Sequence, residues 1–181
     1  MSEERKQSLI ITAYEGRDTA NDVYKTVRQL EKDKKLDIKS AMVILRKKNG
    51  KLKVVQKRKA VSGWGGAAIG SGLALLLGAA TGGVLAGAVV GGVIGGFGRK
   101  KRNQTKRFLD DKLGVDDSAL AVLITDADWQ AVQDATEHYS GERLAIELTD
   151  EAAMQISALA ANEEVAGAVA EEVEMEEEVE D

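Results

Sequence analysis

From Ala60 to Gly98 the chain runs thirty-nine residues without a charge, and fourteen of them are glycine. An interior glycine lowers helix stability by roughly 0.5–1 kcal/mol relative to alanine, so this stretch cannot form an isolated helix in water. Its backbone must be satisfied by apolar surroundings or by close helix packing. The glycines recur at four-residue spacing, as Gly66, Gly70, Gly78 and Gly82 in a first arm and Gly83, Gly87, Gly91 and Gly95 in a second. On a helix that spacing draws a groove without side chains, along which two backbones approach closely. A flexible linker is the alternative, but linkers are polar and serine-rich. This stretch carries Leu73, Leu75, Leu76, Leu77, Val89, Val90, Val93 and Ile94. The pattern therefore predicts a glycine zipper.

Length and charge then set its geometry. One helix from Trp64 to Phe97 would measure about 50 Å, against roughly 30 Å of bilayer hydrocarbon. A break at Thr81-Gly82-Gly83 gives two arms of about 21–24 Å each. Basic clusters bracket the stretch, Lys57, Arg58 and Lys59 before it and Arg99, Lys100, Lys101 and Arg102 after it. The positive-inside rule keeps both on the cytoplasmic side, which a hairpin satisfies and a single span does not. The seven cations are candidate contacts for anionic lipid headgroups or for an acidic segment of the same protein. Because the arms are short for full spans, burial in a protein oligomer is the competing setting.

The flanks read as an α+β domain. Ser8–Tyr14 is a β-branched run with two apolar faces, expected at the centre of a sheet. Asp18 and Thr19 are N-cap types before a helix with Ala20, Val23, Val27 and Leu30 at helical spacing, expected to end near Leu36. Ala41–Leu45 is a second strand, and Asn49-Gly50 signals a hairpin into a third over Leu52–Lys57. Beyond the stretch, Asn103 is expected to cap a short helix through Phe108, Leu109 and Leu113 that stops at Gly114. Ser118–Thr125 is a buried-type strand. Thr125 or Asp126 caps a helix with Trp129, Val132, Ala135 and Tyr139 on one side, and Arg143–Leu148 alternates like a strand with one wet face. Thr149 opens an alanine-rich last helix.

Two strand–helix–strand units thus rhyme. They predict a ferredoxin-like (split βαβ) sandwich, with helices on one face of a four-stranded antiparallel sheet, in preference to a doubly wound parallel sheet. The expected organisation is residues 1–59 as the first half of this domain, 60–102 as the hairpin with its basic collar, 103–162 as the second half, and 163–181 as an acidic tail.

Charge divides along the same line. Residues 1–107 carry a net +15 and residues 108–181 a net −20, within a total of −5. Ten of the last nineteen residues are acidic, so the tail is expected to mask the collar and tune association. There is no cysteine and one histidine, His138. Disulfides and thiolate chemistry are excluded, and no nucleophile–base set, metal cluster or cofactor site is expected. Asp110-Asp111 and Asp116-Asp117 lack the spacing of a calcium loop and read as solvated helix ends. An aromatic content of 4% argues against nucleic acid as a partner. No phosphate loop follows a strand, and no small-molecule substrate is indicated. The polar first residues lack a secretory h-region, so the expected location is the cytoplasmic side of the cell membrane, or else the cytoplasm.

This layout resembles domain-of-unknown-function family 1269, prokaryotic proteins described as predicted membrane proteins with a glycine-rich core. The likeness rests on the Ser8–Tyr14 strand, the Asn49-Gly50 hairpin, the core from Trp64 to Phe97, the Arg99–Arg102 exit, the Phe108-Leu109 helix, the Ser118–Thr125 strand and the Trp129 helix. It covers about residues 6–160 and implies membrane association, with no established activity and no functional residues to carry over. The expected function is a non-enzymatic, membrane-associated homo-oligomer. Alternatives are a soluble ring or shell with the hairpins bundled inside, and a pore, for which the stretch offers only Ser71 and Thr81 as polar lining.

Overall fold

A computed structural model describes residues 7–36, 38–56 and 99–149. Eight elements follow in order: β1 (Gln7–Tyr14), α1 (Thr19–Lys32), β2 (Ile38–Arg46), β3 (Leu52–Gln56), α2 (Arg99–Lys112), β4 (Ser118–Thr125), α3 (Asp126–Thr136) and β5 (Gly141–Leu148). The five strands form one antiparallel sheet in the order β3-β2-β4-β1-β5. The fold class is α+β. The expected four-strand sheet gains a fifth member because β3 pairs onto β2 at the edge. The hairpin over residues 60–98, the helix after Thr149 and the acidic tail lie outside the described residues.

The centre of the sheet is the β1–β4 pair, which runs in continuous register from Gln7 opposite Thr125 to Tyr14 opposite Ser118. All eight residues of β4 are buried, as are seven of the eight in β1. Strands buried on both faces need apolar side chains at every position, and Leu9–Ile11 and Leu120–Ile124 supply them. Side chains alternate between faces with period two, so the same strands feed two cores.

On one face Ile10, Tyr14, Leu120, Val122 and Ile124 meet Ala20, Val23 and Val27 of α1 and Val132 of α3. On the other, Leu9, Ile11, Leu123, Ile146 and Leu148 meet Leu109 of α2 and Leu113 just beyond it, with Phe108 packed against them. Two helices therefore cover one face and the third covers the opposite one. That departs from the expectation of helices on a single face. The reason is visible in α2, whose buried positions Thr105 and Leu109, continued by Leu113, repeat every four residues. This apolar stripe needs a sheet face of its own. Ala13, Ala119 and Ala121 lie in the same core and leave room for its larger side chains.

Element ends differ from the expectations in instructive ways. The first helix stops at Lys32, short of Leu36, and Lys34 takes a left-handed φ of 57° that turns the chain out. Asn103 lies inside α2, which already includes Arg99. Tyr139 falls after α3, and β5 opens at Gly141, two residues before the expected start at Arg143. The β2–β3 turn forms at the Asn49-Gly50 signal, with one more residue than a two-residue turn. The Gly50 N–H donates to the Lys47 carbonyl at 2.9 Å, and Lys47 N–H donates to the Lys51 carbonyl at 2.8 Å. Only Gly50 has a positive φ there, 81°, so this is a three-residue loop with a glycine bulge.

Gly141 sits opposite Tyr14 in the β1–β5 register, and a Cβ on it would lie 2.8 Å from the Tyr14 ring. The bare glycine lets that ring fold over the neighbouring strand.

Leu109 is fully buried at the heart of the α2 core. Leu109→Ala should cost about 2–5 kcal/mol, read as a lowered urea midpoint at unchanged m-value. Val115→Ala, at a position 57% exposed, should move the midpoint by less than about 0.5 kcal/mol.

Candidate functional site

The expected contact cations fall into two groups. Lys57, Arg58 and Lys59, with the zipper glycines Gly66, Gly70, Gly78, Gly82, Gly83, Gly87, Gly91 and Gly95, lie outside the described residues. Arg99, Lys100, Lys101 and Arg102 belong to α2. Lys100 is exposed, as are Lys106 and Arg107 further along the helix. Lys101 turns inward instead, and its Nζ donates to the Glu147 carbonyl of β5 at 2.8 Å. A hollow of about 370 Å³ lies beside this contact, lined by Lys101, Gln104 and residues 145–149.

Strand directions show where these groups sit. At one end of the sheet Gln7 pairs with Thr125 and with Leu148, and Ile38 pairs with Ile124. Strand β3 runs from Leu52, opposite Arg46, to Gln56, opposite Met42, and so points toward that same end. The start of α2 is fastened there by Lys101, and β5 leaves the sheet there at Leu148. Both connections to residues 57–98 and the exit toward the acidic tail thus share one end of the sheet.

The opposite end is tied down by Asp117. Its Oδ1 accepts the Gly16 N–H at 2.8 Å and its Oδ2 accepts the Gly114 N–H at 2.9 Å. Ser118 Oγ donates to the Gly16 carbonyl at 2.6 Å and accepts the Ala20 N–H at 3.0 Å. Arg46, the last residue of β2, reaches helix α2, donating to the Leu109 carbonyl at 3.0 Å and to Asp110 at 3.3 Å. Asp117 was read from the sequence as a solvated helix end. It is a structural clamp, and the only signal was its place three residues after Gly114, the spacing of a side-chain-to-backbone turn. Thr125 does occupy the N-cap position of α3, but its hydroxyl donates to Asp128 at 2.6 Å and makes no cap bond.

A second hollow, about 340 Å³, lies between α3 and the start of β5, lined by Thr12, Tyr14, Asp134, Thr136, Tyr139 and Arg143 among others. The Arg143 guanidinium stacks over Trp129 with its carbon 4.6 Å from the ring centre. Tyr14 and Tyr139 meet edge to face at 6.5 Å. Burial pushes the Tyr14 phenol above its ordinary value, while a hydrogen bond with Thr12 and the nearby Arg143 charge pull it partly back. The lining mixes both charge signs without a nucleophile set against a base. His138 is exposed and packs on Tyr139 at 4.1 Å. Among the described residues no group of three His, Cys, Asp or Glu side chains is placed to hold a metal ion, and no helix is long and apolar enough to cross a membrane.

Comparison with protein-family models, curated proteins and solved structures gives no match.

The Tyr14 shift carries a pH signature. Below the unfolded value of 10.0 both states keep the phenol proton. Above it the unfolded chain releases the proton first, so stability falls as pH rises until the raised folded value is passed. Tyr14→Phe should flatten the decline in urea midpoint between about pH 9 and about pH 11 relative to the unaltered chain.

Proposed function

We propose that this chain is a non-enzymatic, membrane-associated structural protein that self-assembles through a glycine-zipper hairpin over residues 60–98. In this reading the α+β domain rides on the cytoplasmic face. One observation carries it: both connections to the uncharged stretch head for the same end of the sheet. A hairpin that enters and leaves on one face needs that arrangement, and the basic residues flanking it then form a single collar. Exposed Lys100, Lys106 and Arg107 extend the collar along α2.

The domain itself has the features of a ferredoxin-like split βαβ. Strands β5-β1-β4-β2 are consecutive and antiparallel, α1 links β1 to β2, and α3 links β4 to β5. Strand β3 and helix α2 are then additions at one edge and on the far face. With the glycine-rich core between Trp64 and Phe97, this layout agrees with the proposed likeness to domain-of-unknown-function family 1269.

The acidic tail follows β5, which leaves the sheet at the collar end. Ten acidic residues there are suited to compete with anionic lipid for the same cations. The short arms, about 21–24 Å, favour one other reading, a soluble assembly with hairpins packed against each other.

Co-sedimentation with vesicles containing phosphatidylserine tests the proposal. Replacing Lys100, Lys106 and Arg107 together by Gln should weaken binding by about fivefold per charge at low salt, at about 1 kcal/mol each. Removing residues 163–181 should strengthen it. Equal binding of all three chains would overturn the lipid contact. A large, homogeneous particle that stays in solution without detergent and ignores vesicles would favour the soluble assembly.

A further inference from the structure

We propose that the outer edge of β5 pairs antiparallel with β5 of a second copy of this chain, joining two sheets into one. Strand β5 bonds to β1 on its inner side, and among the described residues no strand pairs with its outer side. The Arg46 N–H donates to the Asp117 carbonyl at 3.1 Å, which fixes the alternation across β2, β4, β1 and β5 and turns the Glu147 carbonyl, the acceptor for Lys101 Nζ, away from β1. In an antiparallel strand the N–H and C=O of one residue point the same way, and successive residues alternate. Gly141, Arg143, Ala145 and Glu147 therefore present their backbone groups to the open edge.

Charge selects one register among those that satisfy the backbone. A twofold axis through Ala145 sets Ala145 opposite its own copy and Arg143 opposite Glu147 of the second chain, twice over. The N–H groups and carbonyls of Arg143, Ala145 and Glu147 then find partners. Sliding the register by two residues, so that Gly141 faces Glu147, sets Arg143 opposite Ala145 and loses both ion pairs. Directly opposed residues share a sheet face, so each Arg143 guanidinium meets a carboxylate across the seam. Arg143, Ala145 and Glu147 are all exposed, and no like charges oppose each other in this register. The Glu147 carbonyl has two lone pairs, so it keeps Lys101 while accepting the incoming N–H. The hollow beside residues 145–149 gives the second strand room to approach.

This interface is separate from the hairpin contact proposed above, and its test is independent of lipid. The chain has no cysteine, so Ala145→Cys in the full-length protein creates a single thiol. Opposed residues in a hydrogen-bonded pair lie about 5.5 Å apart at Cα, within the 4.4–6.8 Å range of a disulfide. Mild oxidation should give a covalent dimer of twice the 19.3 kDa chain. Asp111→Cys, exposed on α2, should crosslink about tenfold less, since its geometry is not fixed. Adding Glu147→Arg to Ala145→Cys should abolish the crosslink, and adding Arg143→Glu as well should restore it. Equal crosslinking at positions 111 and 145, or indifference to Glu147→Arg with an unchanged circular dichroism spectrum, would overturn the proposal. Vesicles or detergent should leave the pattern unchanged, whatever they do to the hairpin.

Discussion

The β1–β4 ladder is the constraint on which the other elements depend. Its eight register pairs place a fully buried strand beside one buried at seven of eight positions, with no polar face to give to solvent. Such a pair is stable only if both faces are covered. That requirement recruits α1 and α3 on one side and α2 on the other, and it places β2 and β5 as shields along its two edges. Removing the cover from either face would expose several large aliphatic side chains at once, each worth roughly 1.5–3 kcal/mol of burial. The three helices are therefore parts of one cooperative unit, although they are separated in sequence by the uncharged stretch.

Around that ladder the polar groups are divided between two ends. The Asp117 end is closed by side-chain-to-backbone bonds to the β1–α1 and α2–β4 turns, and by backbone bonds that tie Arg46, the last residue of β2, to Asp116 and Asp117. Those bonds fix two loops with one carboxylate and one hydroxyl. The other end is open by comparison, with Lys101 reaching across to β5 as its main fastening among the described residues. One end is rigid and the other is where the remainder of the chain is attached.

Much of this was legible in the sequence, for physical reasons that differ by element. Strands β1 and β4 could be read because unbroken β-branched and aliphatic runs are required for two-sided burial. Helix α1 could be read from Ala20, Val23 and Val27, whose spacing is that of a buried stripe. The extent of α2 could not, because its first nine residues hold six basic side chains and only Thr105 and Leu109 mark its inner side. Its placement on the opposite face depends on which strand positions are small, a property of three dimensions that alternation alone does not reveal. The Asp117 clamp joins residues about a hundred positions apart, and no local pattern announces such a bond. The turn at Gly50 was foreseen as a hairpin, but its bulge follows from a single positive φ. The zipper glycines and the first basic cluster lie outside the described residues, so the sequence remains the ground for reading them.

The shared end of the sheet has a consequence for how freely the uncharged stretch can vary. Residues 57–98 connect β3 to α2 as an inserted loop, and loop-closure entropy grows only with the logarithm of length, by about 0.6 kcal/mol per doubling. Lengthening or shortening that stretch by a few residues should therefore change the closure cost little. Under the proposed hairpin reading, the domain would be a socket for arms of different length.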